Sequence, residues 1–207
     1  MITTVSDQGS VARDFAIDRA KAYAIVLSGP DAPWSEKIPF LLRNSEFHCV
    51  AVYRFGQYAG RLRLRKPVRG LLATVAHRII NRWITHVDHA EISPRARIGA
   101  GILLMHRHGL IIGPVAIGKN SVIHQNVTIG QRVAGGDQGV PHIGDNVWIG
   151  PGAIITGAIK VGDGATISAG TVLSKDVPPR CLVAGNPGRV VARDYDNREM
   201  INFAMPG

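Results

Sequence analysis

Residues 143–177 read IGDNVWIGPGAIITGAIKVGDGATISAGTVLSKDV. An aliphatic residue returns at every sixth position: Ile143, Ile149, Ile155, Val161, Ile167 and Leu173. Gly144, Gly150 and Gly162 follow three of these; Thr156, Ser168 and Ser174 follow the others. Four places after each comes a small or branched residue: Val147, Ala153, Ile159, Ala165, Thr171 and Val177. A period of six fits neither the 3.6 of an amphipathic helix nor the alternation of a hairpin sheet. It fits a stack of short strands. Each unit points one aliphatic side chain inward and turns where glycine or a small polar residue takes unusual backbone angles. Stacked coils bury those side chains in one column, and parallel pairing satisfies the backbone.

Upstream, the same period runs through Ile92, Ile98, Leu104 and Leu110, then through Ile111, Ile117, Ile123 and Ile129. The change of phase between Leu110 and Ile111 marks a one-residue irregularity. Residues 131–142 (QRVAGGDQGVPH) lack apolar anchors and read as a loop thrust out of the stack. The expected division is a helical N-terminal region over 1–88, a β-coil over 89–191 and a polar tail over 192–207. The helical signals are DFAIDRAKAYAIVLSG, SEFHCVAVYRFGQYAGRLR and PVRGLLATVAHRIINRWITH. In the last, Pro67 suits a helix start, where its missing N–H costs little.

The chain has 207 residues, 45% of them apolar, which is enough to bury a core and excludes disorder as the main state. No stretch approaches the ~18 uninterrupted apolar residues of a spanning helix. The first ten residues lack the basic start and apolar run of a secretory signal. Cys49 and Cys181 stand in no metal-like or redox spacing, so a cytoplasmic protein with reduced thiols is expected. The formal net charge is +9. Between Arg43 and Arg82 only Glu46 opposes nine cations, among them Arg61, Arg63, Arg65 and Lys66. No nucleic-acid motif accompanies them. The region reads as a solvated cap over the open end of the coil, with peripheral contact to an anionic membrane as the other reading.

The segments EISPRARIGAGILLMHRHGLIIG (91–113), VTIG (127–130), GGDQGVPHIGDNVWIGPGA (135–153) and KDVPPRCLVAGNPGRVV (175–191) resemble the hexapeptide-repeat acyltransferases. Within that group they are most similar to the serine acetyltransferase family and its relatives in exopolysaccharide synthesis. The resemblance implies a mainly β fold, a left-handed parallel β-helix with three strands per coil behind an α-helical N-terminal region. It also implies homotrimers, with pairing of trimers left open, active sites in clefts between subunits, and acetyl-CoA as donor.

Acetyl transfer from a thioester to a hydroxyl needs a base, and a neutral imidazole suits that work near neutral pH. The family's catalytic histidine falls on His106 and its supporting acid on Glu91, with Asp88 in reserve. A carboxylate on the far ring nitrogen would fix the tautomer and stabilise the imidazolium. By the same resemblance Pro151 and Ala169 meet the pantetheine arm, Gly130 lies near the thioester end, and Lys175 and Arg189 are available for the phosphates of coenzyme A. Met105 stands where the family has an acid. Gly139 and Val140 stand where serine-specific members carry an Arg-His pair for the amino-acid carboxylate. His108, His142 or Arg132 could stand in for that pair, with His108 and His142 the candidate acceptor contacts, and a sugar or polysaccharide-precursor hydroxyl is the expected acceptor. Serine, acetylated for cysteine biosynthesis, is the alternative. A non-catalytic trimeric scaffold is the reading from another class. A zinc site among His106, His108, His124 and His142 is the competing reading, since imidazole is a common zinc ligand, and no metal is expected.

Overall fold

The computed structural model describes residues 11–29, 31–132 and 139–206. Four helices precede the coil: α1 (Val11–Val26), α2 (Trp34–Arg43), α3 (Ser45–Arg65) and α4 (Pro67–Asp88). The strands then follow as short rungs. They are β1 (Glu91–Ile92), β2 (Arg97–Ile98), β3 (Leu103–Met105), β4 (Ile111–Ile112) and β5 (Ala116–Ile117). Next come β6 (Val122–His124), β7 (Thr128–Gly130), β8 (His142–Ile143), β9 (Trp148–Ile149) and β10 (Ile154–Thr156). The last are β11 (Lys160–Val161), β12 (Thr166–Ile167), β13 (Val172–Leu173), β14 (Leu182–Ala184) and β15 (Arg189–Ala192), before a one-turn helix α5 (Arg198–Ile201).

Every third strand stacks on the same face. The first face is β1-β4-β7-β10-β13, the second β2-β5-β8-β11, and the third β3-β6-β9-β12-β14-β15. All pairings are parallel except β14 with β15, which closes the last coil antiparallel. Ile149 pairs with Ile167, a separation of 18 that equals three six-residue units. Ile123 pairs with Ile149, a separation of 26, so this coil holds eight residues more. The excess lies between β7 and β8, where the expected loop falls; residues 133–138 of it lie outside the described residues. Ile123, Ile129, Ile149, Ile155 and Ile167 are fully buried on the axis of about five turns. Each such side chain contributes about 1.5–3 kcal/mol relative to exposure.

One expectation about the column is corrected. Ile111 does not point inward: it is 48% exposed, and Ile112 is the buried residue paired between Ile92 and Ile129. Leu104 to Ile112 spans eight positions and Ile112 to Ile117 only five. The irregularity is thus a lengthened corner over residues 106–110 with a shortened one after it, and Leu110 is an extra buried residue inside the first.

The first coil has no coil above it, so its backbone groups would be left unpaired without a cap. Helices α1 and α3 supply one. Arg54 donates to the carbonyls of Ile98 (2.8 Å) and Gly99 (2.7 Å) and, from Nε, to Asp18 (2.7 Å). Asp18 accepts from the N–H groups of Gly101 (2.7 Å) and Ile102 (3.0 Å). The Tyr53 hydroxyl donates to Ala96 O and accepts from Ile98 N. The expected cap is therefore present, made by buried polar side chains rather than by a solvated face.

Helix α1 also sends Lys21 inside, where it donates to the Asn120 carbonyl (3.1 Å) and side-chain oxygen (2.8 Å). Burial is the dominant influence and pulls this ammonium down to about 7, against a smaller upward pull from Asp18. Between that value and the ordinary 10.5 the unfolded chain holds more proton than the folded one, so stability rises with pH across the window. The melting temperature is expected to climb from pH 7 to pH 9, and Lys21→Met is expected to flatten the rise.

The third face is covered. Ala22, Tyr23, Phe40 and Phe47 of the helices pack with Leu103, Val122 and Ile201. The C-terminal segment, expected as a polar tail, lies back on the coil: Asn197 donates to Asn146 O, and Asn120 donates to Phe203 O. The second face presents Arg97, His142 and Lys160 outward. The first presents Glu91, Ile111, Thr128, Ile154 and Val172, in register. Among the described residues no helix is long and apolar enough to cross a membrane.

Candidate active site

The edge between the third and first faces is a column of stacked corners. Asn126 N donates to His108 O (2.8 Å), Gly152 N to Gln125 O (3.0 Å), and Gly170 N to Pro151 O (2.8 Å). The three lower corners turn on one left-handed residue each: Asn126, Gly152 and Gly170. The topmost corner uses two, His106 (φ 52°) and Gly109 (φ 68°). Gly109 meets Asn126 and continues the column, so His106 is the additional left-handed residue. That conformation costs a residue bearing a Cβ ~1–2 kcal/mol. Its effect is to turn the imidazole out of the coil into an exposed position at the end of β3.

Glu91 starts β1 directly beside this corner: its N–H donates to Leu110 O (2.7 Å). Both side chains are exposed, and no ion pair joins Glu91 to His106 among the described residues. The side chain of Asp88 lies outside the described residues. His108 shares the corner with His106 and is exposed. His142 stands on the second face, paired between Ala116 and Lys160, and is not brought to His106 within one chain. Pro151 and Ala169 lie at corners of the His106 edge. Gly130 ends β7 at the far side of the first face, with open space where a side chain would stand. Lys175 is exposed just after β13 and Arg189 exposed at the start of β15. Among the described residues no three His, Cys, Asp or Glu side chains gather as a metal site.

Three features are not evident from sequence. A cavity of about 280 Å³ opens between α1, α2, α3 and β3, with His106 in its lining. Asn44 and Glu46 add polar groups to an otherwise largely apolar wall of residues such as Phe40, Phe47, Leu103 and Met105. Asn44 is fixed there by its role as the cap of α3, accepting from Phe47 N at 2.7 Å. The second feature is His124, which pairs in register with Met105 and packs against Trp148 with ring centroids 4.8 Å apart. Burial first, and the neighbouring His106 second, hold its pKa below the ordinary value. The third is Val140, which packs against the aliphatic column, so the place of the missing Arg-His pair is partly filled by apolar packing.

Residues 141–175 match the family model described as bacterial transferase hexapeptide (six repeats). Serine acetyltransferase of Escherichia coli strain K12 is 37% identical over 162 residues, covering 77% of this chain and 56% of that protein. This chain thus spans little more than half the length of that relative. The serine acetyltransferase of Neisseria gonorrhoeae solved in complex with serine is 31% identical, with a TM-score of 0.69, over 88% of this chain and 69% of that one. The enzyme of Brucella abortus strain S19 solved with coenzyme A is 27% identical, with a TM-score of 0.70, over 88% and 68%. These relatives are named as serine acetyltransferases, and none of the three is named for polysaccharide synthesis.

Proposed function

Because the chain belongs to the hexapeptide-repeat serine acetyltransferase family, we propose that it moves an acetyl group from acetyl-CoA to a hydroxyl, with serine as the acceptor. His106 takes the hydroxyl proton as the oxygen attacks the thioester carbonyl. The tetrahedral intermediate then collapses, the carbon–sulfur bond breaks, and the imidazolium returns its proton to the departing thiolate. Glu91 orients and stabilises that imidazolium across the corner. The single observation that carries the reading is the column of corners under His106. It offers Pro151 and Ala169, with backbone groups free of bulky side chains, along the line a pantetheine arm would follow. Lys175 and Arg189 take the phosphates and Gly130 lies toward the thioester. Gly130 and His142 lie off the His106 edge, which fits a cleft completed by a second copy. The row of Ile111 and Ile154 on the uncovered first face supports a trimer built on that face.

A second reading, a sugar hydroxyl, is favoured by Gly139 and Val140. Val140 packs against the column and offers no cation to a carboxylate. Thiol release from acetyl-CoA, measured with serine and with a panel of saccharides, tests both. Serine is expected to give the highest kcat/KM. A saccharide that outpaces it would install the second reading, and turnover with no acceptor in the panel would remove the first.

A further inference from the structure

Helix α4 is amphipathic in the opposite sense to a helix that packs on a core. At two points α4 meets α3 through a small or a polar residue. Gly70 lies so close to the Arg63 backbone that a Cβ would clash, and His77 fills the space a Cβ on Gly56 would need. A row of large apolar residues points away. Val68 (74% exposed), Leu72 (67%), Val75, Ile79 (66%) and Trp83 (70%) recur at spacings of three and four along one stripe. From Val68 to Trp83 the stripe is about 22 Å long at the usual rise of an α-helix. An apolar stripe of this extent on a soluble surface marks a docking face.

The charges around the stripe identify the occupant. Residues 47–87 contain no aspartate or glutamate. Arg69 lies on one flank, Arg78 and Arg82 on the other, and Arg63, Arg65 and Lys66 crowd its N-terminal end, all exposed. A second copy laid on the same face would set cation against cation with no acid to compensate. An anionic lipid surface meets both features, since it takes apolar side chains into the headgroup boundary and attracts the flanking cations. Trp83 suits that boundary, where indole rings are favoured. We propose that α4 docks this protein in the plane of an anionic bilayer, with Val68, Leu72, Ile79 and Trp83 inserted and Arg69, Arg78 and Arg82 at the headgroups. The caps on the coil come from α1 and α3, which leaves α4 free for this role.

The test is flotation of the full chain with phosphatidylcholine vesicles, with and without phosphatidylglycerol, at low and high salt. Binding is expected only to vesicles containing phosphatidylglycerol and is expected to weaken with salt. The triple variant Arg69→Gln, Arg78→Gln, Arg82→Gln should bind roughly a hundredfold more weakly, and Ile79→Ser with Trp83→Ser should lose binding. Both sets of side chains are exposed, so an unchanged melting temperature verifies the fold. Wild-type protein that fails to float with anionic vesicles overturns the proposal. So does a higher oligomer that the Ile79→Ser, Trp83→Ser variant dissociates in the absence of lipid, which would assign the stripe to a second copy.

Discussion

His106→Ala is expected to lower kcat for acetyl transfer by about 10²–10⁴-fold, the range a positioned general base supplies. Affinity for coenzyme A should be retained, because the residues assigned to the cofactor lie on lower corners of the column and on other strands. That division separates a catalytic role from a structural one. The side chain is exposed and, among the described residues, makes no hydrogen bond that holds the corner, so the melting temperature should move little. A variant that keeps wild-type turnover would end the assignment, and one that loses coenzyme A binding as well would make His106 a binding residue. Glu91→Gln should have a smaller effect, since the acid orients and stabilises the imidazolium without taking the substrate proton itself.

The place of His106 shows how far sequence carries the argument. The six-residue period exposes the coil because each inward aliphatic must satisfy the same steric slot, and Ile143 to Leu173 do so without interruption. The period fails at Leu110–Ile111–Ile112, where three adjacent aliphatics fit either phase. Only the second left-handed residue in that corner decides that Ile112 goes in and Ile111 out. Sequence thus locates an irregularity but not its consequence, a corner long enough to present an imidazole. The cavity beside His106 is less legible still. Asn44 and Glu46 reach it because α3 is pinned to the first coil by Arg54 and Tyr53, contacts that span more than forty positions. Helix α4 teaches the same lesson in reverse. Its periodicity reveals an apolar stripe, but the direction of that stripe is set by Gly56 and Gly70, which draw the opposite side of the helix onto α3.

That pinning contact gives the second large effect. Arg54→Leu is expected to destabilise the fold by about 3–5 kcal/mol, the usual cost of leaving a buried charge without its partner. For a chain of this size the melting temperature should fall on the order of 10 °C. Two losses combine. The carbonyls of Ile98 and Gly99 lose their donor, and the buried Asp18 carboxylate keeps only the N–H groups of Gly101 and Ile102. Burial already holds the Asp18 pKa above its ordinary 3.8, outweighing the downward pull of Arg54. Removing the guanidinium raises it further. A carboxyl whose folded pKa exceeds its unfolded one binds more proton in the native state, so its contribution to stability grows as pH falls and is lost as pH rises through the folded value. The Arg54→Leu variant should therefore regain part of its lost stability between pH 7 and pH 5, where the wild type gains less. A deficit that stays constant over that range would mean that lost packing, not the stranded carboxylate, sets the cost. Asp18→Asn in the Arg54→Leu background separates the two, because it removes the charge while keeping an oxygen for Gly101 and Ile102. If the stranded charge dominates, the double variant should be the more stable at pH 7, and the regain between pH 7 and pH 5 should vanish.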